Sequence, residues 1–297
     1  MRLVFDIYKY YLMHHLKIFI ELTRLNKPIG FMLLFWPCAW GLAFANSLKQ
    51  NSELFYYYLV LFFLGSVLMR SAGCIFNDIV DKDYDKKVVR TKKRPIASGK
   101  ISILQSLLYV IILCLISLLV LIQFNFLTIA LGISSMFLAF SYPFMKRITY
   151  WPQLFLGITF NWGIIMAWTA FNNDFSFNIF TLYLAAIFWT LGYDTIYGAQ
   201  DVSDDEIIGL KSTAIKFKKN MRMFVAISYL VSLILMTYFF KDFVGFNVFS
   251  FFLFLFILSL IYQVFYFKKK NKKKYLRLFK FNNYSGFLMF VGILLIN

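Results

Sequence analysis

SILQSLLYVIILCLISLLVLI, residues 102–122, runs from Ser102 to Ile122 without a charged side chain. About 20 apolar residues is the length that crosses a bilayer as a helix, whereas a lone strand would leave its backbone groups unpaired in lipid. Outward from this stretch the pattern recurs, with apolar segments at 28–46, 54–76, 126–145, 151–170, 177–197, 223–240, 247–267 and 279–297. None of them shows the alternation of a membrane barrel strand. The expected fold is all-α, a polytopic membrane helical bundle of about nine transmembrane helices. Pro28, Pro37, Pro143 and Pro152 fall at or inside helix ends, where kinks and starts are tolerated.

Composition agrees with this reading. The 297 residues are 61% apolar, 21% aromatic and 15% charged, with mean hydropathy +0.69, against about 45–50% apolar and about 25% charged for soluble domains. A water-soluble enzyme is excluded, and so is a large extramembrane domain. Residues 1–27, with Arg2, Lys9, Lys17, Arg24 and Lys27, read as an amphipathic N-terminal arm at the interface without the features of a secretory signal. Residues 28–297 read as one transmembrane domain.

The formal charge of +17 would invite nucleic acid as a partner in a soluble chain. Here the basic residues fall in alternate connections, so the partner is the lipid bilayer and nucleic acid is excluded. The arm, the loop 77–101, Lys146 with Arg147, the loop 198–222 and the run 268–280 carry nearly all of them, against Lys49 and Lys241 on the other side. By the positive-inside rule the N-terminus and both long loops are cytoplasmic, and the C-terminus lies outside. The lysine run at 267–280 reads as a topology anchor, with an anionic-lipid patch as the alternative. Cys38, Cys74 and Cys114 have neither disulfide nor zinc spacing. His14 and His15 are adjacent, about 100° apart on a helix, and make a poor ligand pair.

Nine of the 14 acids form two clusters. Asp78, Asp81, Asp83 and Asp85 follow the second span; Asp194, Asp201, Asp204, Asp205 and Glu206 follow the sixth. Both spans run toward the cytoplasm and deliver their acids to one face. On a continuing helix Asp78, Asp81 and Asp85 lie within about 60° while Asp83 points about 140° away; Asp194, Asp201 and Asp205 lie within about 40°, with Tyr197 beside them. Three carboxylates on one face repel one another and oppose the helix dipole, so a cation is expected between them. Oxygen ligands without His or Cys select a hard ion such as Mg²⁺, which takes one or two carboxylates and bridges to phosphate. Solvated loop charges balancing Lys82, Lys86, Lys87, Arg90, Lys211 and Lys216, or a cation path, are the alternatives.

Asn77-Asp78-x-x-Asp81-x-x-x-Asp85 followed by Arg90-Thr91-x-x-Arg94-Pro95-x-x-Ser98-Gly99 resembles the first signature of the UbiA superfamily of intramembrane prenyltransferases. Tyr193-Asp194-Thr195-x-Tyr197-x-x-x-Asp201-x-x-Asp204-Asp205-x-x-x-Gly209-x-Lys211-Ser212-Thr213-Ala214 resembles its 4-hydroxybenzoate polyprenyltransferase branch. So do Arg24-Leu25-Asn26-Lys27-Pro28-Ile29-Gly30 and Tyr142-Pro143-x-x-Lys146-Arg147-x-Thr149. Asn26 stands where the family often has Asp.

The resemblance implies nine helices around a central cavity, and transfer of a polyprenyl group from polyprenyl diphosphate to 4-hydroxybenzoate ortho to its hydroxyl, in ubiquinone synthesis. Mg²⁺ is the implied cofactor, with Asp78, Asp81, Asp85, Asp201 and Asp205 as its ligands and Asn77 and Asp194 in support. Arg90, Arg94 and Lys211 would neutralise the leaving diphosphate. Arg147 would pair with the acceptor carboxylate, since a planar fork matches it bidentately, with Arg70 and Arg24 next in line. The implied location is a bacterial or mitochondrial inner membrane, with the site facing the cytoplasm or matrix. Haem O synthase shares the first motif and is the alternative within the superfamily. A transporter predicts acids at mid-span, and a CDP-alcohol phosphotransferase needs a DGxxAR signature that is absent here.

Overall fold

The computed structural model describes Met13, residues 15–268 and residues 272–296. Arg2, Lys9, His14, Lys269, Lys270 and Asn297 lie outside the described residues. The chain forms a short helix α1 over 15–23, followed by α2 (Ile29–Lys49), α3 (Ser52–Val80), α4 (Lys82–Asp85), α5 (Ile103–Leu121), α6 (Phe126–Ile148) and α7 (Pro152–Asn172). Then come α8 (Ile179–Gly198), α9 (Val202–Ile207), α10 (Thr213–Lys216), α11 (Met221–Phe239), α12 (Val248–Tyr266) and α13 (Lys272–Leu294). No strand occurs among the described residues. Among the described residues eight helices are long and apolar enough to cross a membrane, and α13 is the ninth long helix. The protein is a multi-pass integral membrane protein.

Helix starts follow local chemistry. The Asn51, Asn125 and Asn247 side chains each accept a backbone N–H of the first turn, Ser102 forms a capping box with Gln105, and Pro152 opens α7. In lipid, helices gain by close approach rather than by burying apolar surface. Thus α2 meets α7 where a Cβ on Gly163 would stand 2.3 Å from Cys38 Sγ, and α8 meets α11 where one on Gly192 would stand 2.3 Å from Tyr229. The most enclosed helices are α2, α7 and α8; α5 and α6 are the most exposed. A second buried cluster joins Ile18 and Leu22 of α1 to Ala72, Ile75, Ile96, Ile101, Val110 and Leu113, which pins the arm against α3, α5 and the loop between them.

The ninth helix starts at Lys272 rather than 279, because the lysines after residue 271 form its first turns. Polar bonds hold it. Trp36 Nε1 donates to Asn283 Oδ1, Trp40 Nε1 to the Gly286 carbonyl and Trp189 Nε1 to Asn282 Oδ1, each at 2.9 Å. Asn282 Nδ2 in turn donates to Gln263 Oε1 of α12 at 2.8 Å.

Candidate active site

The second span does not continue as one helix. It stops at Val80, Asp81 takes a turn conformation with φ −90° and ψ 2°, and the single turn α4 follows. The three carboxylates nevertheless converge inward: Asp78, Asp81 and Asp85 are buried, while the Asp83 side chain is 83% exposed and pairs with Lys86. Each buried acid has a basic partner. Arg94 Nη1 bridges Asp78 at 3.0 Å and Asp85 at 2.8 Å, Arg24 Nη2 donates to Asp78 at 2.6 Å, and Lys146 Nζ donates to Asp81. Arg24 does so from a backbone φ of +56°, a left-handed conformation that costs strain for a non-glycine residue. Burial raises the Asp85 carboxyl above its ordinary value, with Arg94 opposing.

The loop after α4 is compact rather than free. Val88, Ile96 and Ala97 are buried, Thr91 Oγ1 donates to the Asp85 carbonyl, and Gly99 turns the chain at φ +77°. It thereby aims Arg90 and Arg94 at the acids. Arg90 Nη2 reaches Asp201 Oδ2 at 2.5 Å and its Nη1 reaches the Tyr197 hydroxyl at 3.2 Å. The two acidic clusters therefore lie at one end of the bundle, joined across the loops.

The second cluster departs from the expected single stripe. Helix α8 ends at Gly198 and Asp201 precedes the new helix α9, so Asp194 lies deeper than Asp201 and Asp205. Gln153 Oε1 accepts the Thr213 N–H, Thr195 and Thr213 share a hydroxyl bond, and the Lys211 N–H donates to the Lys146 carbonyl. These bonds fix the loop under the ends of α6 and α8. Burial first, and Asp201 beside it second, push the Asp205 carboxyl up to about 6 despite Lys146 and Arg90.

Both clusters open on a cavity of about 1450 Å³, walled by α2, α3, α5, α6, α7, α8 and α13. Its charged end holds Asn77, Asp78, Asp81, Asp85, Arg90, Arg94, Lys146, Asp201, Asp205 and Lys211; the remainder is mostly uncharged, with Leu, Phe and Gly its commonest residues. Further in, Arg70 lies with its guanidinium carbon 5.4 Å from the Phe160 ring centre, and its buried Nε has no hydrogen-bond partner. Asp194 shares this region and feels the Arg70 charge.

Among the described residues no three ligating side chains gather around one point. The acids come singly or in pairs, and one buried Asp81 oxygen accepts no hydrogen bond. That donor set fits a hard cation that takes one or two carboxylates and completes its shell with phosphate and water.

Arg147, expected to pair with the acceptor carboxylate, does not line the cavity: its Nη2 donates to the Val80 carbonyl at 2.7 Å and lies 3.5 Å from Asp81, with the Tyr84 ring centre 4.9 Å from its guanidinium carbon. Adjacent residues on a helix point about 100° apart, and of the pair at the end of α6 it is Lys146 that faces the acids. Sequence reasoning passed over Lys146, and Lys211 is only at the rim, with its Nζ on the Ile148 carbonyl at 3.1 Å. Arg24 sits at the first acid cluster, paired with Asp78. Arg70 is the one basic residue lying in the middle of an apolar segment, a signal present in the sequence.

A model of the UbiA prenyltransferase family matches residues 34–290. The chain is 49% identical over 203 residues to the mitochondrial 4-hydroxybenzoate polyprenyltransferase of Caenorhabditis elegans, covering 68% of this chain and 56% of that protein. It is 47% identical over 205 residues to the human protein of the same name, covering 69% and 55%. The chain thus spans little more than half the length of these relatives. Among solved structures, an apo UbiA homologue from Aeropyrum pernix K1 shares the fold with TM-score 0.71 at 21% identity, over 88% of this chain and 96% of that one. One from Archaeoglobus fulgidus, bound to GPP and Mg²⁺, does so with TM-score 0.64 at 16% identity, over 92% and 99%.

Proposed function

The chain belongs to the UbiA prenyltransferase family, and from that premise we propose that it transfers a polyprenyl group from polyprenyl diphosphate to the ring of 4-hydroxybenzoate. The observation that carries this reading is the arrangement of two acid clusters with basic partners at the mouth of one cavity whose depth is apolar. The names of the relatives support the acceptor. Transporter chemistry gains no support, because the acids lie at helix ends except Asp194, which sits with Arg70.

In this reading Asp78, Asp81, Asp85, Asp201 and Asp205 hold Mg²⁺, with Asn77 and Tyr197 lining the same mouth. When bound, Mg²⁺ neutralises the diphosphate as the allylic C–O bond breaks. Arg90, Arg94 and Lys146, supplied on fixed loops and a helix end, add cationic donors aimed at the same charge, and Lys211 stands at the rim. Arg70 takes the acceptor carboxylate, its orphaned Nε gaining the partner it lacks. Asp194 beside it takes the ring proton released when the new C–C bond forms. The apolar walls keep water from the prenyl cation. The asymmetry of basic residues supports a mouth on the cytoplasmic or matrix side of an inner membrane, bacterial or mitochondrial. The domain division in this reading is an N-terminal arm over 1–27, of which Ile18 and Leu22 pack against the bundle, and a single transmembrane domain over 28–297.

The test is to incubate membranes containing the protein with Mg²⁺, a polyprenyl diphosphate and radiolabelled 4-hydroxybenzoate. The label is expected to become lipid-soluble, and to stay in water when EDTA is added. Label that remains water-soluble under all conditions refutes the assignment.

A further inference from the structure

Glycine inside a helix is less stable than alanine, so an interior glycine needs a reason. In this chain the reasons are nearly always visible. Gly99 and Gly209 occupy loops at φ +77° and +76°. Every other helical glycine except two has a neighbouring atom within 3.2 Å of where a Cβ would stand. The two exceptions, Gly65 and Gly73, lie in the interior of α3 with nothing within 4 Å. Neither backbone conformation nor packing calls for glycine there.

Both residues line the cavity into which Asp78 also opens. At a rise of about 1.5 Å per residue, Gly73 lies about 7.5 Å and Gly65 about 20 Å from Asp78 along the helix. Beyond Gly65 stand the Phe62 and Phe124 rings, 4.9 Å between centroids, with Tyr58 against Phe124 at 5.1 Å. The open space in front of the glycines thus runs from the charged mouth to an aromatic end wall.

We propose that Gly65 and Gly73 keep this channel open for the polyprenyl tail of the donor, and that Gly65 selects for tail length. The proposal rests on the donor reading above. An extended main chain advances about 1.2 Å per bond, as in a polypeptide, so the eight main-chain carbons of a geranyl group span about 10 Å. That tail passes Gly73 and stops short of Gly65. A geranylgeranyl tail is twice as long, about 20 Å, and reaches Gly65. A large side chain at Gly65 therefore obstructs long donors, and one at Gly73 obstructs all.

The experiment measures kcat/KM for geranyl, geranylgeranyl and a longer polyprenyl diphosphate, with radiolabelled 4-hydroxybenzoate and Mg²⁺, in the full-length wild type and in Gly65→Ala, Gly65→Val, Gly65→Leu and Gly73→Leu. The readout is the ratio of long-donor to geranyl efficiency, which does not depend on how much of a variant is folded. That ratio is expected to fall stepwise with side-chain size at Gly65, by about tenfold or more for Gly65→Leu, and to stay near the wild-type value in Gly73→Leu while both efficiencies drop. An unchanged ratio across the Gly65 series overturns the proposal, because the tail then leaves the cavity sideways into lipid. Failure of the wild type to label 4-hydroxybenzoate with any donor refutes the function itself rather than the channel.

Discussion

Arg70→Ala removes the guanidinium that lines the cavity beside the Phe160 ring and leaves the proposed acceptor carboxylate without its cation. Truncating one partner of a buried, hydrogen-bonded charge pair costs about 2–5 kcal/mol. Arg70 opens on a cavity rather than on packed protein, so the lower part of that range applies, and about 2–3 kcal/mol corresponds to a rise of about 30- to 150-fold in KM for 4-hydroxybenzoate. The KM for the donor should change by less than about threefold, since its diphosphate is held at the other cluster. Arg70→Lys should recover part of the loss, keeping the charge but not the fork. Phenol, which lacks the carboxylate, supplies the control: the wild type should prefer 4-hydroxybenzoate strongly, and Arg70→Ala should lose most of that preference. Steady-state kinetics with radiolabelled acceptors in detergent reads all of these. The reasoning fails if Arg70→Ala acts mainly on the donor KM, or if Arg147→Ala, whose guanidinium sits on the Val80 carbonyl, raises the acceptor KM more.

Asp78→Ala, Asp81→Ala and Asp201→Ala should each abolish transfer while the protein still inserts, whereas the exposed Asp83 should tolerate alanine with little loss; equal losses for Asp81 and Asp83 would refute the clustering. Single-cysteine probes in 86–93 and 216–220 should be labelled from the same side of sealed vesicles and a probe in 171–175 from the other; opposite sides for the two long loops would contradict the Arg90–Asp201 contact. Asn282→Leu leaves the Trp189 N–H buried without a partner and takes from the Gln263 side-chain carbonyl one of its two donors, Tyr229 keeping the other, at a cost of about 1–2 kcal/mol. Its thermal midpoint in detergent should fall by a few degrees, and an unchanged midpoint would show that those bonds contribute nothing.

The spans were legible because charge is almost absent from them, and their ends could be read to within a few residues, except for the ninth. There the apolar run begins only at 279, while the helix itself reaches back into lysines whose placement depends on the neighbours of Asn282 and Asn283. The inward face of Asp78, Asp81 and Asp85 was legible from their spacing even though the helix breaks at Asp81, because the turn conformation there nearly preserves the helical direction. Asp194 and Asp201 do not share one continuous helix, because α8 ends at Gly198 between them and α9 starts only after Asp201. Choosing between Lys146 and Arg147 needed tertiary structure. Both can pair with an acid, and only the packing of α6 against the end of α3 decides which one meets Asp81 from the cavity side.

The polar clasp on α13 also bears on how the chain is assembled in the bilayer. A segment that opens with Lys272, Lys273, Lys274, Arg277 and Lys280 and carries Asn282, Asn283 and Ser285 is a poor candidate for partitioning into lipid by itself. Its acceptors and donors, Trp36, Trp40, Trp189 and Gln263, come from three helices made earlier in synthesis. The ninth helix therefore enters a bundle that already exists, and its capture completes the cavity wall that Phe279, Lys280 and Asn283 contribute. Biogenesis is thus coupled to catalytic competence: until the clasp engages, the acidic mouth lacks one of its walls.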